Sequence, residues 1–137
     1  MYLNRIIETC LYVQDLDGTE AFYANKLEFT VIGKKQGRHI FFRVGSSVLL
    51  CFKADVTREE ASLPVHFGEG QLHLAFEVPK KDYEKVKKWI QSKGIEIEHE
   101  QHWHNDYRSF YFRDPDGHSL EIVPQGLWDS NTASDKV

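Results

Sequence analysis

A chain of 137 residues with 41% hydrophobic and 13% aromatic side chains is long enough for one folded domain, and this composition excludes a disordered protein. The formal net charge of -4 is too small to predict a nucleic-acid or membrane partner. Cys10 and Cys51 lack zinc-site spacing, and no segment approaches about 18 apolar residues, so we expect a cytoplasmic protein without a membrane span.

The first half of the chain predicts a strand, a helix and three further strands. Residues 6–13 are apolar and rich in β-branched side chains, which is typical of a buried strand. Asp17 followed by Glu20 forms a capping box, which predicts a helix that runs to about Lys26. Three short apolar runs separated by turn residues predict strands joined by hairpins, at residues 29–34, 39–44 and 48–52.

The second half repeats this order after a polar or mixed segment. A helix is predicted at residues 82–93, with Gly94 as its C-cap. The predicted strands of this half are residues 72–78, 95–98, 108–113 and 119–123. The repeat predicts an α+β fold of two βαβββ modules, at about residues 5–53 and 70–125, within one domain over residues 1–128. Residues 129–137 are predicted to be a polar tail.

Three ionisable residues interrupt apolar strands at related positions of the repeat. Aligning the halves places Glu8 opposite His73, and Leu50 opposite Glu121. A carboxylate inside a sheet is costly unless it is paired, hydrogen-bonded or bound to a metal. One imidazole and two carboxylates suit a divalent ion of the Mn, Fe, Co, Ni or Zn group. In the alternative interpretation, the two glutamates point to solvent and His73 is a satisfied core histidine.

Three segments resemble the vicinal-oxygen-chelate superfamily of glyoxalase, bleomycin-resistance and dioxygenase-like proteins. They are the stretch from Glu8 to Leu27, the string GQLHLAFEV at residues 70–78, and FYFRDPDGHSLE at residues 110–121. The resemblance covers about residues 5–125 and implies paired βαβββ modules that form a cup-shaped mixed sheet, often in a homodimer. It also implies metal ligands at the positions of Glu8, Leu50, His73 and Glu121.

The chain departs from the family pattern at two of these positions. Glyoxalase I has a glutamate at the position of Leu50, and leucine cannot bind a metal, so we do not expect a typical glyoxalase I. Extradiol dioxygenases and fosfomycin thiol transferases resemble each other in using two histidines and one glutamate. Here the set has one histidine and two glutamates, which makes a bound ion a weaker Lewis acid and extradiol ring cleavage a less favoured activity.

Four residues before the seventh strand are candidates for a substrate pocket. Trp103 and His104 are expected to rim it, or else to lie at a surface strand end. Arg108, beside Tyr107, is a candidate to bind a substrate carboxylate or phosphate, and a surface salt bridge is the alternative. His118 is out of phase with Glu121 in the strand pattern, so we exclude it as a ligand.

These features predict a metal-dependent enzyme that acts on a small molecule with vicinal oxygens. Glu8, His73 and Glu121 are the expected ligands, Glu121 is the expected catalytic residue, and the ion is expected to act as a Lewis acid. A ligating glutamate or Glu77 is the candidate base. The alternative is a metal-free, bleomycin-resistance-type binding protein on the same scaffold, and the metal content of the purified protein separates the two.

Overall fold

The computed structural model describes residues 1–129, so most of the tail predicted at residues 129–137 lies outside the described residues. The chain divides into two compact units, Met1–Gly70 and a second that starts at Gln71. Each unit contains one four-stranded mixed sheet, which confirms the predicted α+β fold of two βαβββ modules. No helix within residues 1–129 is long and apolar enough to cross a membrane.

The elements of the first unit are β1 (Glu8–Tyr12), α1 (Leu16–Glu20), β2 (Thr30–Lys35), β3 (His39–Val44), β4 (Ser47–Phe52) and α2 (Ala54–Thr57). Its sheet has the strand order β1-β4-β3-β2, with β1 parallel to β4 and the other pairs antiparallel. Helix α1 continues directly into a π-helical segment, Ala21–Lys26, whose aromatic rings pack on the sheet. Tyr23 and Phe42 are fully buried, with ring centroids 5.5 Å apart, and they centre the core of this unit.

The elements of the second unit are β5 (His73–Val78), α3 (Tyr83–Ser92), β6 (His99–His102), β7 (Arg108–Arg113) and β8 (Ser119–Pro124), and a 3-10 turn, Lys80–Asp82, precedes α3. Its sheet repeats the arrangement of the first in the order β5-β8-β7-β6, with β5 parallel to β8. The ring of Tyr83 in α3 meets the ring of Phe110 in β7 at 5.5 Å between centroids. Helix α3 therefore covers the sheet face that carries Phe110, and the other face carries the polar side chains.

Strand register confirms the internal repeat at the level of single residues. Leu50 of β4 and Glu121 of β8 each lie opposite one residue of the first strand and one of the third strand of their sheets. The flanking residues are Cys10 and Phe41 in the first sheet, and Ala75 and Tyr111 in the second. The backbone is therefore repeated, while the side chain at this central position changes from apolar to charged.

The predicted N-cap at Asp17 is wrong by two residues. Asp15 has extended backbone angles, φ -124° and ψ 105°, and its side chain accepts a hydrogen bond from the Asp17 backbone N–H at 3.1 Å. Asp17 therefore lies in the first turn of α1. A helix N-cap is an extended residue whose side chain accepts a hydrogen bond from a backbone N–H two or three positions later, and Asp15 meets that definition.

Two further elements differ from the sequence prediction. Residues 95–98 form no strand, although Ile95 is buried, because ladder pairing with β7 begins only at His99. Alternation of apolar and polar side chains reports which side is buried, and it does not establish that a ladder forms. The short helix Ala54–Thr57 was missed because its residues lack an apolar period long enough to detect.

Replacing Asp15 by alanine is expected to lower the free energy of unfolding by about 1 kcal/mol, because the first turn of α1 loses its cap. The matched change Asp17→Ala removes only a favourable charge near the helix N-terminus and is expected to cost about 0.3 kcal/mol. Urea unfolding of both variants measures the difference. Equal losses, or a larger loss for Asp17→Ala, would contradict the assignment of the cap.

Candidate metal centre

The polar face of the second sheet gathers side chains from three adjacent strands. Register places Ala75 and Tyr111 on either side of Glu121, and it places His73 beside Ser119, two residues before Glu121. We call this the Glu121 face. The opposite face carries the apolar core of the unit, whose most buried members are Phe110, Phe112 and Leu120. The alternation of β8 therefore puts the Glu121 carboxylate on the face that also carries His73, Ser119 and Tyr111.

His73 and Glu121 form a close pair on this face. The His73 Nε2 atom lies 3.4 Å from Glu121 Oε2, and the side chains are 51% and 2% exposed, respectively. The other ring nitrogen, Nδ1, is 2.8 Å from the backbone carbonyl oxygen of Ser119. A carbonyl only accepts, so Nδ1 carries a proton, and in the neutral form of the ring the lone pair of Nε2 faces the carboxylate.

This arrangement fits a divalent ion. Two atoms that each lie about 2.1 Å from one ion are about 3.0 Å apart at octahedral angles and about 3.4 Å apart at tetrahedral angles. Facing lone pairs of a neutral imidazole and a carboxylate repel, and a cation or a proton between them removes the repulsion. A ligating histidine commonly donates its second ring N–H to a carbonyl, as His73 does to Ser119.

Tyr111 and Ser109 lie on the Glu121 face of the neighbouring strand β7. Burial raises the pKa of Tyr111, a hydrogen bond with Ser109 lowers it, and the charge and hydrogen bond of Glu121 raise it again. Ser109 is fully buried, and its hydroxyl oxygen accepts a hydrogen bond from Trp103 Nε1 at 3.0 Å. The sequence analysis did not single out Tyr111 or Ser109. The repeat alignment held a signal for Tyr111, since a phenol stands there where the first unit has the apolar ring of Phe41.

Glu8, the third predicted ligand, belongs to the first unit. It opens β1 opposite Val48, is exposed, and holds the place that His73 holds in β5. Burial raises the pKa of the Cys10 thiol on the same strand face, and the negative charge of Glu8 raises it further. The structure thus brings together His73 and Glu121 within one unit and places Glu8 at the equivalent position of the other.

The four predicted pocket residues lie around the end of the β6–β7 hairpin. Its turn runs from His104 to Tyr107, and the two central residues, Asn105 and Asp106, have positive φ values of 53° and 63°. The ring of Tyr107 lies 4.0 Å from Lys80 Nζ, measured to the ring centroid. Of the four, Trp103 reaches the Glu121 face through its hydrogen bond to Ser109.

Arg108 lies on the other face of the sheet. It is opposite His102 in the ladder, its guanidinium contacts Glu84 of α3 and Glu100 of β6, and it lies over the ring of Tyr83. Even-numbered residues of β7 face the helix, and that is why Arg108 and Tyr111 point to opposite sides. The surface ion pair considered from the sequence is the observed state of Arg108, so we do not retain it as a substrate ligand.

A second group of possible metal ligands is Asp114, Asp116 and His118, with one ligand atom from each within 4.8 Å of the others. Hydrogen bonds already define this turn. Asp114 Oδ1 accepts from the backbone N–H groups of Asp116 and His118 at 3.0 and 2.9 Å, and His118 Nδ1 accepts from the Leu72 N–H at 2.9 Å. Their first role is to shape the turn that leads into β8.

Comparison with known proteins gives a consistent result. The model of the Glyoxalase/Bleomycin resistance protein/Dioxygenase superfamily matches residues 5–122. Metallothiol transferase FosB of Lysinibacillus sphaericus (strain C3-41) is 28% identical over 130 residues, which cover 94% of this chain and 88% of that protein. The crystal structure of lactoylglutathione lyase from Agrobacterium tumefaciens superposes with a TM-score of 0.89 at 32% identity, covering 94% of this chain and 99% of that chain.

A fosfomycin resistance protein, FosX, from Listeria monocytogenes, solved with Mn(II) and a dihydroxypropylphosphonic acid, has a TM-score of 0.67 at 23% identity. The alignment covers 93% of this chain and 94% of that chain. At this identity the likeness concerns the fold.

Proposed function

The chain belongs to the glyoxalase/bleomycin resistance protein/dioxygenase superfamily, and from this premise we propose that it is a metal-dependent enzyme acting on a small molecule with vicinal oxygens. The observation that carries the proposal is the pair of His73 Nε2 and Glu121 Oε2, two ligand atoms 3.4 Å apart on a polar sheet face. The similarity to a protein named a metallothiol transferase supports a metal, and FosX is solved with Mn(II).

In this proposal His73, Glu121 and Glu8 hold the ion, which is one of Mn, Fe, Co, Ni or Zn. When bound, the ion supplies Lewis-acid stabilisation of negative charge on a substrate oxygen. Glu121 is the catalytic residue, because its buried carboxylate lies opposite Tyr111 in the sheet and faces His73. A ligating glutamate or Glu77, which lies on the same face of β5 as His73, accepts the proton that the substrate loses.

The relatives divide between two reaction classes, and Leu50 favours one of them. The more similar solved structure is named a lactoylglutathione lyase, whereas the similar curated protein is named a thiol transferase. Leu50 occupies the position equivalent to Glu121, is 9% exposed, and packs between Cys10 and Phe41 of the first sheet. We propose group transfer or addition in preference to the lyase reaction, because a leucine removes the fourth ligand that the resemblance implies for glyoxalase I.

A second candidate function is metal-free binding of a flat organic molecule. It is favoured by aromatic rings on the face of the first sheet that carries Leu50. On this face the rings of His39 and Phe41 stack, with centroids 4.1 Å apart and an angle of 7° between their planes. The remaining rings continue the contact series from Phe41 through Phe52 and His66 to Tyr12. This function requires no metal in the purified protein, so metal content decides between the two.

We further propose that the protein is a homodimer. The edge strands are β1 and β2 in the first sheet and β5 and β6 in the second. Open edges of a sheet are commonly covered by a second copy of the chain, paired across a two-fold axis. Light scattering at micromolar concentration measures the mass, and a monomer at that concentration contradicts this proposal.

Glu121→Gln is expected to abolish binding of Mn²⁺ and to leave the fold intact, because glutamine keeps the shape and loses the charge. His73→Ala is expected to abolish binding as well. Without metal, Glu121→Gln is expected to melt no lower than the wild type, since a neutral amide is less costly to bury than a carboxylate. Calorimetry with Mn²⁺ and thermal melting with and without metal provide the measurements.

Asp116→Asn is the matched control, because it neutralises a carboxylate of the Asp114, Asp116 and His118 turn. Its affinity for Mn²⁺ is expected to equal that of the wild type. Normal binding by Glu121→Gln together with a lower melting temperature would remove Glu121 from the site. Loss of binding in Asp116→Asn alone would assign the metal to the turn.

The wild-type protein is expected to show little isomerisation of the methylglyoxal–glutathione hemithioacetal, because Leu50 cannot bind a metal. Leu50→Glu is expected to tighten Mn²⁺ binding by adding a carboxylate at the position equivalent to Glu121. The control is Leu50→Gln, which adds a polar group without charge. Efficient turnover by the wild type, measured by thioester formation, would show that the argument from the fourth ligand is wrong.

A further inference from the structure

An arginine and a set of aromatic rings meet at one end of the first sheet. Register sets Phe41 opposite Leu50 in the ladder, and it sets His39 opposite Phe52 in the same way. These four side chains therefore share one face, which we call the Leu50 face. The rings of His39 and Phe41 stack, and the Phe52 ring meets both of them edge-on, at 5.8 and 5.2 Å between centroids. The guanidinium carbon of Arg38 lies 5.4 Å from the centroid of the Phe52 ring.

Two hydrogen bonds determine where the Arg38 guanidinium lies. Its Nη2 atom donates to Glu60 Oε2 at 2.7 Å, and both side chains are 16% exposed. Glu60 is held in turn, because its other oxygen accepts from the backbone N–H groups of Ala61 and Ser62 at 3.1 and 3.3 Å. The second guanidinium nitrogen, Nη1, lies 2.7 Å from His39 Nδ1. The ion pair with Glu60 thus anchors the guanidinium that contacts the imidazole.

The contact with Arg38 selects one tautomer of His39. A guanidinium has donors and no acceptor, so the hydrogen bond requires a lone pair on His39 Nδ1. The ring that offers this lone pair is neutral and carries its proton on Nε2. Burial, followed by the positive charges of Arg38 and Lys35, lowers the pKa of His39, which favours the same neutral form. Within residues 1–129, Nε2 makes no hydrogen bond, so its N–H is available to an external acceptor.

We propose that the Leu50 face binds a planar aromatic molecule whose ring heteroatom accepts a hydrogen bond from His39 Nε2–H, and that Arg38 is the positioning residue that holds His39 in this tautomer. The inference rests on the flat-molecule binding that is the second candidate function above, and it requires no metal. Small-molecule sites commonly combine apolar and aromatic side chains with a few fixed polar groups. Stacked rings accept many flat molecules, and one fixed donor selects among them by the position of an acceptor.

The charges around His39 narrow the class of ligand. Lys35 lies opposite His39 in the ladder between β2 and β3, and Arg38 contacts it directly. The negative charge of Glu60 is engaged by Arg38. A protonated ligand nitrogen has no lone pair to accept from Nε2, and two nearby cations repel it. The ligand is therefore neutral or anionic at the atom that meets His39.

The probes that test the donor are 7-azaindole and indole, two flat molecules of the same shape that differ by one ring nitrogen acceptor. NMR titration of the full chain near neutral pH, with a chelator present, measures both affinities without a contribution from bound metal. The wild type is expected to bind 7-azaindole about 5-fold more tightly, the usual net effect of one hydrogen bond. His39→Phe keeps a flat ring beside Phe41 and loses the donor, so it is expected to bind both probes equally.

His99→Phe is the matched control for replacing an exposed histidine ring elsewhere, on β6 of the second unit. It is expected to keep the preference of the wild type for 7-azaindole.

Nitrogen NMR of the imidazole rings in isotope-labelled protein tests the role of Arg38. In the wild type, the His39 signals are expected to show a bare Nδ1 and a protonated Nε2. Arg38→Met is expected to restore exchange among the tautomers and the protonated ring, which moves the two signals towards each other. Lys35→Met removes a neighbouring charge without removing the hydrogen bond, so its two signals are expected to stay apart.

Four outcomes decide the inference. A preference for 7-azaindole that is lost in His39→Phe, together with a bare Nδ1 in the wild type, supports it. Equal wild-type affinities, or a preference that survives in His39→Phe, overturn the role of His39 and leave flat-molecule binding standing. A wild-type Nδ1 that carries a proton, or signals unchanged in Arg38→Met, overturn the role of Arg38. Binding of neither probe overturns the inference and the flat-molecule function together.

Discussion

The burial of one carboxylate is the constraint on which the second unit depends. Glu121 is 2% exposed in a strand whose neighbouring residues, Leu120 and Ile122, are apolar. An isolated charge in such a place costs several kcal/mol, so the surroundings must compensate it. Strand register places Tyr111 of β7 opposite Glu121 and brings His73 Nε2 of β5 to 3.4 Å from Glu121 Oε2.

Comparing the two halves of the internal repeat shows which residues the fold needs and which belong only to the candidate site. Both sheets use the same strand order, and the faces that carry Leu11, Phe42, Phe110 and Leu120 are apolar in each. The other faces diverge, because leucine and phenylalanine stand in the first sheet where glutamate and tyrosine stand in the second. The same backbone therefore accepts either apolar or polar side chains at these positions. The chemistry of the second sheet follows from side chains that the fold does not require.

Periodicity and the repeat were sufficient to predict the modules, most strands, and the pairing of His73 with Glu121 on one face. These features depend on residues near each other in sequence or related by one alignment. The capping role of Asp15, the absence of a strand at residues 95–98, and the ion pairs of Arg108 depend on geometry and on partners distant in the chain.

The metal content of the wild-type protein tests the central claim most directly. The protein is purified without added metal, analysed by elemental analysis, and then titrated with Mn²⁺, Ni²⁺ and Zn²⁺ by calorimetry. We predict about one divalent ion per chain, with proton release on binding if an imidazole is a ligand, because a ligating imidazole must be neutral. Absence of metal from the purified protein, together with no uptake of any of the three ions, would contradict it.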